Sequence, residues 1–180
     1  MPLCLGGKDT IISVKCRHCG ADVSHVLVDL GVAPPSNAYL TKMALKRPEK
    51  FFPLRVLVCE SCWLVQAEAY SRAAELFNEE YAYFSSFSSE WLAHAKKYVD
   101  AMVERFNLSE SSIVGEVAAN DGYLLQFVKE RGISCYGIEP TASTANAARQ
   151  KGVEIVQDFL NVSLAGELRR KGRAVDLLAA

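Results

Sequence analysis

No stretch of the chain approaches the ~20 consecutive apolar residues that a membrane-spanning helix requires. The opening MPLCLGGKDT lacks the charged stretch followed by an apolar run that marks a secretory signal. No excess of positive charge is present either, since the formal net charge is -1. That argues against nucleic acid as a partner, because phosphate binding needs a basic surface. A cytoplasmic protein with no membrane partner is expected. Internal repeats and low-complexity segments are absent, and nothing in the sequence marks an oligomeric state. Also missing is the Gly-x-Gly-x-x-Gly spacing of a dinucleotide fold.

What is present is enough apolar material for a core, with 50% hydrophobic and 23% charged residues in 180. Six cysteines need a reason where structural disulfides are rare. Four fall into two pairs, CRHC (Cys16, Cys19) and CESC (Cys59, Cys62). Two residues between ligands let one tight turn aim both sulfurs at one ion, and four thiolates suit the tetrahedral preference of Zn²⁺. Gly20 favours such a turn. A redox pair would come singly, at the start of a helix after a strand. His18 and His25 lie nearby as alternative ligands, each better explained as a surface or packing residue. A closed four-thiolate site leaves no open position for chemistry, so the zinc would be structural. Cys4 sits in the terminal segment, and Cys135 reads as a small buried strand residue.

Residues 11 to 70 read as short strands and turns. IISVKC and LRVLVCESCWLVQ lead into the knuckles, and Pro34-Pro35 forbids a helix across GVAPPSNAYL. SRAAELFNEEY predicts a short helix. SSEWLAHAKKYVDAMVERF predicts a long amphipathic one, with Leu92, Ala95, Val99, Met102 and Phe106 at three- and four-residue steps. Ser88 or Ser89 caps its start and Asn107 lies near its end. From Ser112 the pattern alternates strand and helix: SIVGEVA, GYLLQFVKERG, ISCYGIE, ASTANAARQKG, VEIVQ, SLAGELRRKG and AVDLLAA. This implies an α/β arrangement with a parallel sheet wound by right-handed crossovers, its helices ended by Gly132 and Gly152. The last strand has no loop after it, and four strands with three helices cover a sheet poorly. A longer protein is therefore expected.

Ligands of such sheets lie over the carboxyl ends of the strands. Three features fall there: Glu116, the turn Asn120-Asp121-Gly122, and Glu139 followed by Pro140. An acid at the end of the second strand can accept both ribose hydroxyls of any adenosine cofactor. The turn discriminates further. Where a pyrophosphate would need close backbone amides, this chain has Ala118, Asn120 and Tyr123. S-adenosylmethionine has no phosphates and makes no such demand. Glu116 can hold its ammonium, amides of the turn can meet its carboxylate, and Gly122 lets the backbone pass close. Asp158 and Phe159, after the third strand, can meet adenine. A structural turn without a ligand remains the alternative, as does an NAD-linked enzyme.

With these residues in place, the chain resembles the sugar C-methyltransferases that act on nucleotide-linked deoxysugars. CRHCG, DLGVAPPSNAYL, LVCESCWLVQ, YAYFSSFSSEWLAHAKKYV, VGEVAANDGYLLQFV and GIEPTASTANAARQKGV carry the resemblance, in order, over nearly the whole chain from Cys16. It implies a small N-terminal zinc-binding β-rich domain (1–70), a helical connector (71–110) and an incomplete Rossmann-like sheet of the class I methyltransferase type (111–180). It implies a nucleotide-linked sugar as substrate. It also points to Tyr81, Tyr83, Ser85 and Ser86 as lying near cofactor and substrate, although Tyr81 and Tyr83 are as readily core packing. Ala118 stands where class I methyltransferases commonly have glycine. The family's general-base histidine is expected beyond Ala180, so this form is expected to bind cofactor weakly and not to turn over. His94, in mid-helix, reads as a surface or packing residue. A zinc-ribbon binding module fused to a nucleotide-binding fold is the competing reading from another functional class.

Overall fold

The computed structural model describes residues 14–78 and 81–180. Cys4 and residues 11–13 of the first expected strand lie outside them. The chain forms two compact units. One comprises the described part of Met1–Ser36 with Leu40–Arg72, the other Asn37–Tyr39 with Ala73–Ala180.

The first unit is built around its knuckles. Strand β1 (Val14–Lys15) pairs antiparallel with β2 (Asp22–Val23) across the first. Strands β3 (His25–Ala33), β4 (Phe52–Val58) and β5 (Val65–Ala67) form an antiparallel sheet in that order. The sequence pattern did not announce β3. Its register is broken at Asp29–Val32, where Gly31 takes φ +78° and donates its amide to Asp29 Oδ1. Its run of Val and Leu shows no alternation, because both faces are exposed: Leu27, Leu30 and Val32 are each more than half accessible. The buried apolar residues of this unit are Cys16, Val23, Leu57 and Cys59.

In the second unit the helix expected from SRAAELFNEEY shrinks to one turn, α1 (Ala73–Leu76), and Glu79 and Glu80 are not described. Helix α2 (Ser89–Phe106) matches its pattern. Ser88 Oγ accepts from Trp91 N at 3.1 Å, and Asn107 ends the helix in the left-handed region. Ala95 and Val99 are buried as the periodicity predicts, whereas Phe106 is half exposed and Leu108, just beyond the helix, takes the core place.

The sheet that follows is parallel. Strands β6 (Ile113–Val117), β7 (Ser134–Ile138), β8 (Glu154–Val156) and β9 (Leu177–Ala179) lie in the order β8-β7-β6-β9, with α3 (Leu125–Lys129), α4 (Ala142–Gln150) and α5 (Val162–Arg170) as crossovers. One face packs with α2, α3 and α4 around Val114, Leu125, Ala148 and Ile155. The other packs Tyr136 and Ile138 against Leu164 and Leu168 of α5. Gly132 and Gly152 follow α3 and α4 in the left-handed region, as their αL capping predicts. Helix α3 is shorter than its pattern suggests. Asn120 and Gly122 both have positive φ, so regular helix cannot begin until the turn has ended. Gly137 on β7 is required by packing: a β-carbon there would lie 2.4 Å from that of Ala119. The turn is thereby seated directly on the second strand. No helix among the described residues is long and apolar enough to cross a membrane.

Candidate functional site

The candidate metal centre is formed by two turns of the same design. Gly20 N donates to Cys16 O at 3.0 Å and Trp63 N to Cys59 O at 2.8 Å, while the Cys16 and Cys59 amides reach Ala21 O and Leu64 O. Gly20 and Trp63 occupy equivalent left-handed positions, at φ +74° and +63°. Glycine adopts this freely, whereas a bulky side chain is strained in it. Gln66, buried in β5, ties the arrangement together by accepting from Arg17 N at 3.1 Å and donating to Lys15 O. The four sulfurs of Cys16, Cys19, Cys59 and Cys62 all lie within 4.8 Å of one another, and Cys16–Cys62 and Cys19–Cys59 are each 3.6 Å apart. Sulfurs ~2.3 Å from a tetrahedral ion are separated by ~3.8 Å, so the donor set fits Zn²⁺. Neither His18 nor His25 joins this cluster.

The second candidate site lies in the other unit, over the carboxyl ends of β6, β7 and β8. A cavity of about 450 Å³ opens there, within the size range of cofactor pockets. Tyr81, Tyr83, Ser85, Ala118, Asn120, Tyr123, Glu139, Pro140, Asp158 and Phe159, ten of the residues that the sequence suggested, line it. Glu139 is buried at its floor. Its Oε2 accepts from Asn120 N and its Oε1 from Thr141 N, both at 2.9 Å. Two backbone amides thus hold the carboxylate fixed, and each oxygen keeps a lone pair for a ligand.

Asn120 is the hinge of the site. Its Oδ1 accepts from Ser85 N and from Asp121 N, and its Nδ2 donates to Tyr83 O. The segment carrying Tyr81 and Tyr83 is therefore tied to the turn by one side chain. Asp121 and Ser86 form a second tie beside it. Asp121 Oδ2 accepts from Ser86 N at 3.3 Å and from Lys151 Nζ at 3.2 Å, and Lys151 also donates to Ser86 Oγ. Asp121, Gly122 and Ser86 are not among the cavity's lining residues. Gly122 faces Ala148 and Val153, where a β-carbon would come within 3.2 Å, so its place in the turn is set by packing on α4.

Burial, and then the nearby Glu139 carboxylate, push the Tyr81 phenol above its ordinary value. At neutral pH it is a hydrogen-bond donor and not a base. Ala118 has φ +56°, the region that costs an L-residue roughly 1–2 kcal/mol and that glycine enters freely. Ala118→Gly is expected to raise the unfolding free energy by about 1 kcal/mol. A urea midpoint unchanged or lowered by the substitution would contradict this account of the turn.

Glu116 is separated from these residues. It shares a face of β6 with Val114 and points beneath α2 and α3, where it is 2% exposed. It lines a second cavity of about 220 Å³ with Trp91, His94, Tyr98 and Tyr123. Burial drives its carboxyl up to about 8, the Tyr123 phenol opposes this with a hydrogen bond, and Asp121 and Glu139 add to it by charge. Glu116 Oε2 has no partner. Trp91 was not foreseen as a site residue, yet it lines both cavities. Its spacing with Ala95 and Tyr98 reads as an ordinary core stripe.

Residues 16–77 match the family described as "Putative zinc binding domain", and residues 98–171 match the family described as "Methionine biosynthesis protein MetW". Among solved structures, an RNA methyltransferase from Salinibacter ruber in complex with S-adenosyl-L-homocysteine aligns at 21% identity over 42% of this chain and 65% of its own, with a TM-score of 0.30. A SAM-dependent methyltransferase from Archaeoglobus fulgidus aligns at 18% identity over 39% of this chain and 35% of its own, with a TM-score of 0.28. The C-methyltransferase NovU of Streptomyces niveus is 32% identical over 154 residues, which is 86% of this chain and 36% of that enzyme. Residues 16–77 are thus similar to that zinc-binding family, and the chain as a whole is similar to a C-methyltransferase of which it spans about a third of the length.

Proposed function

We propose that the chain forms the zinc-binding and cofactor-binding parts of an S-adenosylmethionine-dependent C-methyltransferase acting on a keto-sugar, carried as its nucleotide-linked form. One observation carries the cofactor reading: Glu139, fixed by two backbone amides at the floor of the large cavity, faces a turn that offers no phosphate cradle. Ala118 and Asn120 stand where a pyrophosphate would need glycine. The similarity to a C-methyltransferase supports the reaction class.

When bound, S-adenosylmethionine supplies an electrophilic methyl group. The chain's own residues hold and orient. Glu139 accepts the ribose hydroxyls, and Asp158 and Phe159 border the adenine. Asn120 holds Tyr83 and Ser85, and with them the segment that carries Tyr81, against the turn. Removal of a proton beside a carbonyl builds charge on the carbonyl oxygen. A phenol that stays protonated, as Tyr81 does, is a donor suited to that oxygen.

Calorimetry with S-adenosylhomocysteine and with NADH tests the cofactor. The expected result is binding of the first only, weakened roughly ten- to a hundredfold by Glu139→Ala. Preference for NADH, or an unchanged affinity in the Glu139→Ala protein, would overturn the reading.

A further inference from the structure

The chain from Tyr81 to Ser86 supplies three of the large cavity's walls, Tyr81, Tyr83 and Ser85, yet it has almost no regular structure of its own. It ends in a single 3-10 turn at Ser85–Phe87. What places it is a row of polar ties. Ser143 Oγ, in the first turn of α4, donates to Tyr81 O at 3.4 Å. Asn120 holds Tyr83 O and Ser85 N. Asp121 holds the amide of Ser86, and Lys151 holds its hydroxyl. Ser143 and Lys151 stand at opposite ends of α4, about 12 Å apart along its axis at ~1.5 Å per residue. The segment is thus strapped along that helix at both ends and pinned to the turn in its middle. The Ser86 end carries charge. The Asp121 side chain is 5% exposed and that of Lys151 31%. Asp121 makes both of these hydrogen bonds through Oδ2, while its buried Oδ1 makes none. A carboxylate so far withdrawn from water is costly to leave without a cation. Lys151 meets it from the carboxyl end of α4, where the helix dipole favours positive charge.

From this we propose that Lys151 is a positioning residue of the cofactor site. It does not line the large cavity, so it acts only through Asp121 and Ser86. By neutralising the first and gripping the hydroxyl of the second, it fixes the end of the strap. The side chains of Tyr81 and Tyr83 are thereby held as walls of the pocket that contains Glu139. The inference rests on the cofactor reading above and deepens it: the wall that closes on the adenosyl ligand is set by an ion pair outside the pocket. In the sequence, a lysine before the glycine that ends a helix reads as an ordinary carboxyl-terminal cap. The fold gives it a second partner, thirty residues earlier in the turn after β6.

Two measurements test the assignment. Calorimetry with S-adenosylhomocysteine on the full chain is expected to show Lys151→Met binding about three- to tenfold more weakly than the unaltered protein, and Lys151→Arg within about twofold of it. Ser86→Ala removes one hydroxyl from a partly exposed position and puts the fold at little risk. It is expected to weaken binding by a similar factor. Combined with Lys151→Met it should add little, because both variants break the same tie. The second measurement needs no ligand. Hydrogen exchange in Lys151→Met is expected to be at least about tenfold faster at the Ser85 and Ser86 amides and unchanged at Val114 and Leu125, in the core of the same unit. Unchanged affinity in Lys151→Met, no recovery in Lys151→Arg, or fully additive losses in the double variant would overturn the positioning role. So would unchanged exchange at Ser86, or faster exchange throughout the unit, which would make Lys151 a residue of general stability. Weaker binding in Glu139→Ala beside unchanged binding in Lys151→Met removes this inference alone and leaves the cofactor reading standing. If the unaltered protein does not bind S-adenosylhomocysteine, the cofactor reading fails and this inference with it.

Discussion

Extraction of the metal by a chelator, or the substitution Cys59→Ser, is expected to unfold the unit that contains β3, β4 and β5. The reason is the size of its core. Its buried apolar residues are Cys16, Val23, Leu57 and Cys59, so two of the four are themselves proposed ligands. The β3 strand contributes little, since Val26, Leu27, Val28, Leu30 and Val32 all remain exposed. A unit this small cannot close its entropy deficit by apolar burial alone. Structural zinc contributes on the order of 10 kcal/mol to such folds, more than the remaining contacts supply. Cys59 is the sharpest test because it is fully buried and its carbonyl and amide both close the second knuckle. Hydrogen exchange should show Leu57 and Cys59 losing protection on metal removal. Val114 and Leu125, in the core of the other unit, should keep theirs. Metal analysis of the untreated protein should give about one zinc per chain. A Cys59→Ser protein that retains exchange protection across β4 would refute the structural role of the metal.

Legibility from the sequence followed the range of the interactions involved. The knuckles were readable because ligand spacing is local, and the donors from two distant turns need only one ion to bring them together. The parallel sheet was readable because each strand and helix carries its own period, and left-handed residues follow the helices where expected. Strand β3 was not readable. Its apolar residues do not alternate, and Gly31 in the bulge resembles a turn. The start of α3 was misplaced because Asn120 and Gly122 take positive φ and the Asn120 side chain captures the Asp121 amide, which no hydrophobic period reports. The site divides in the same way. Glu139 and its neighbours were found because strand ends in an open parallel sheet have a defined meaning. Glu116 was assigned to the cofactor by position on its strand, but nothing local showed that Trp91, His94 and Tyr98 would wall it into a compartment of its own. Those contacts come from a helix packed across the sheet. In the sequence they are indistinguishable from ordinary core spacing.

Stability of the sheet-bearing unit is expected to fall as pH rises from 5 to 9, and Glu116→Gln is expected to remove much of that fall. Burial, with Asp121 and Glu139 nearby, raises the Glu116 carboxyl from 4.5 to about 8, against a hydrogen bond from Tyr123 that favours the charged form. The other side chains facing it are His94 and Tyr98 of α2. In the unfolded chain the same carboxyl ionises near 4.5. Between these values the folded state holds a proton that the unfolded state has lost. Unfolding then takes up no proton and releases one, so its free energy decreases with pH through this window. Below about 4.5 the contribution is fully present. Above about 8 it is gone, a loss on the order of a few kcal/mol. Glutamine mimics the protonated acid in shape and cannot ionise. Urea midpoints at pH 5 should therefore be nearly equal for the two proteins, with the glutamine protein clearly more stable at pH 9. Every other titrating group is common to both proteins, so the difference between their curves isolates Glu116. Parallel curves would mean that the carboxyl ionises freely in the folded protein and that the cavity is wet.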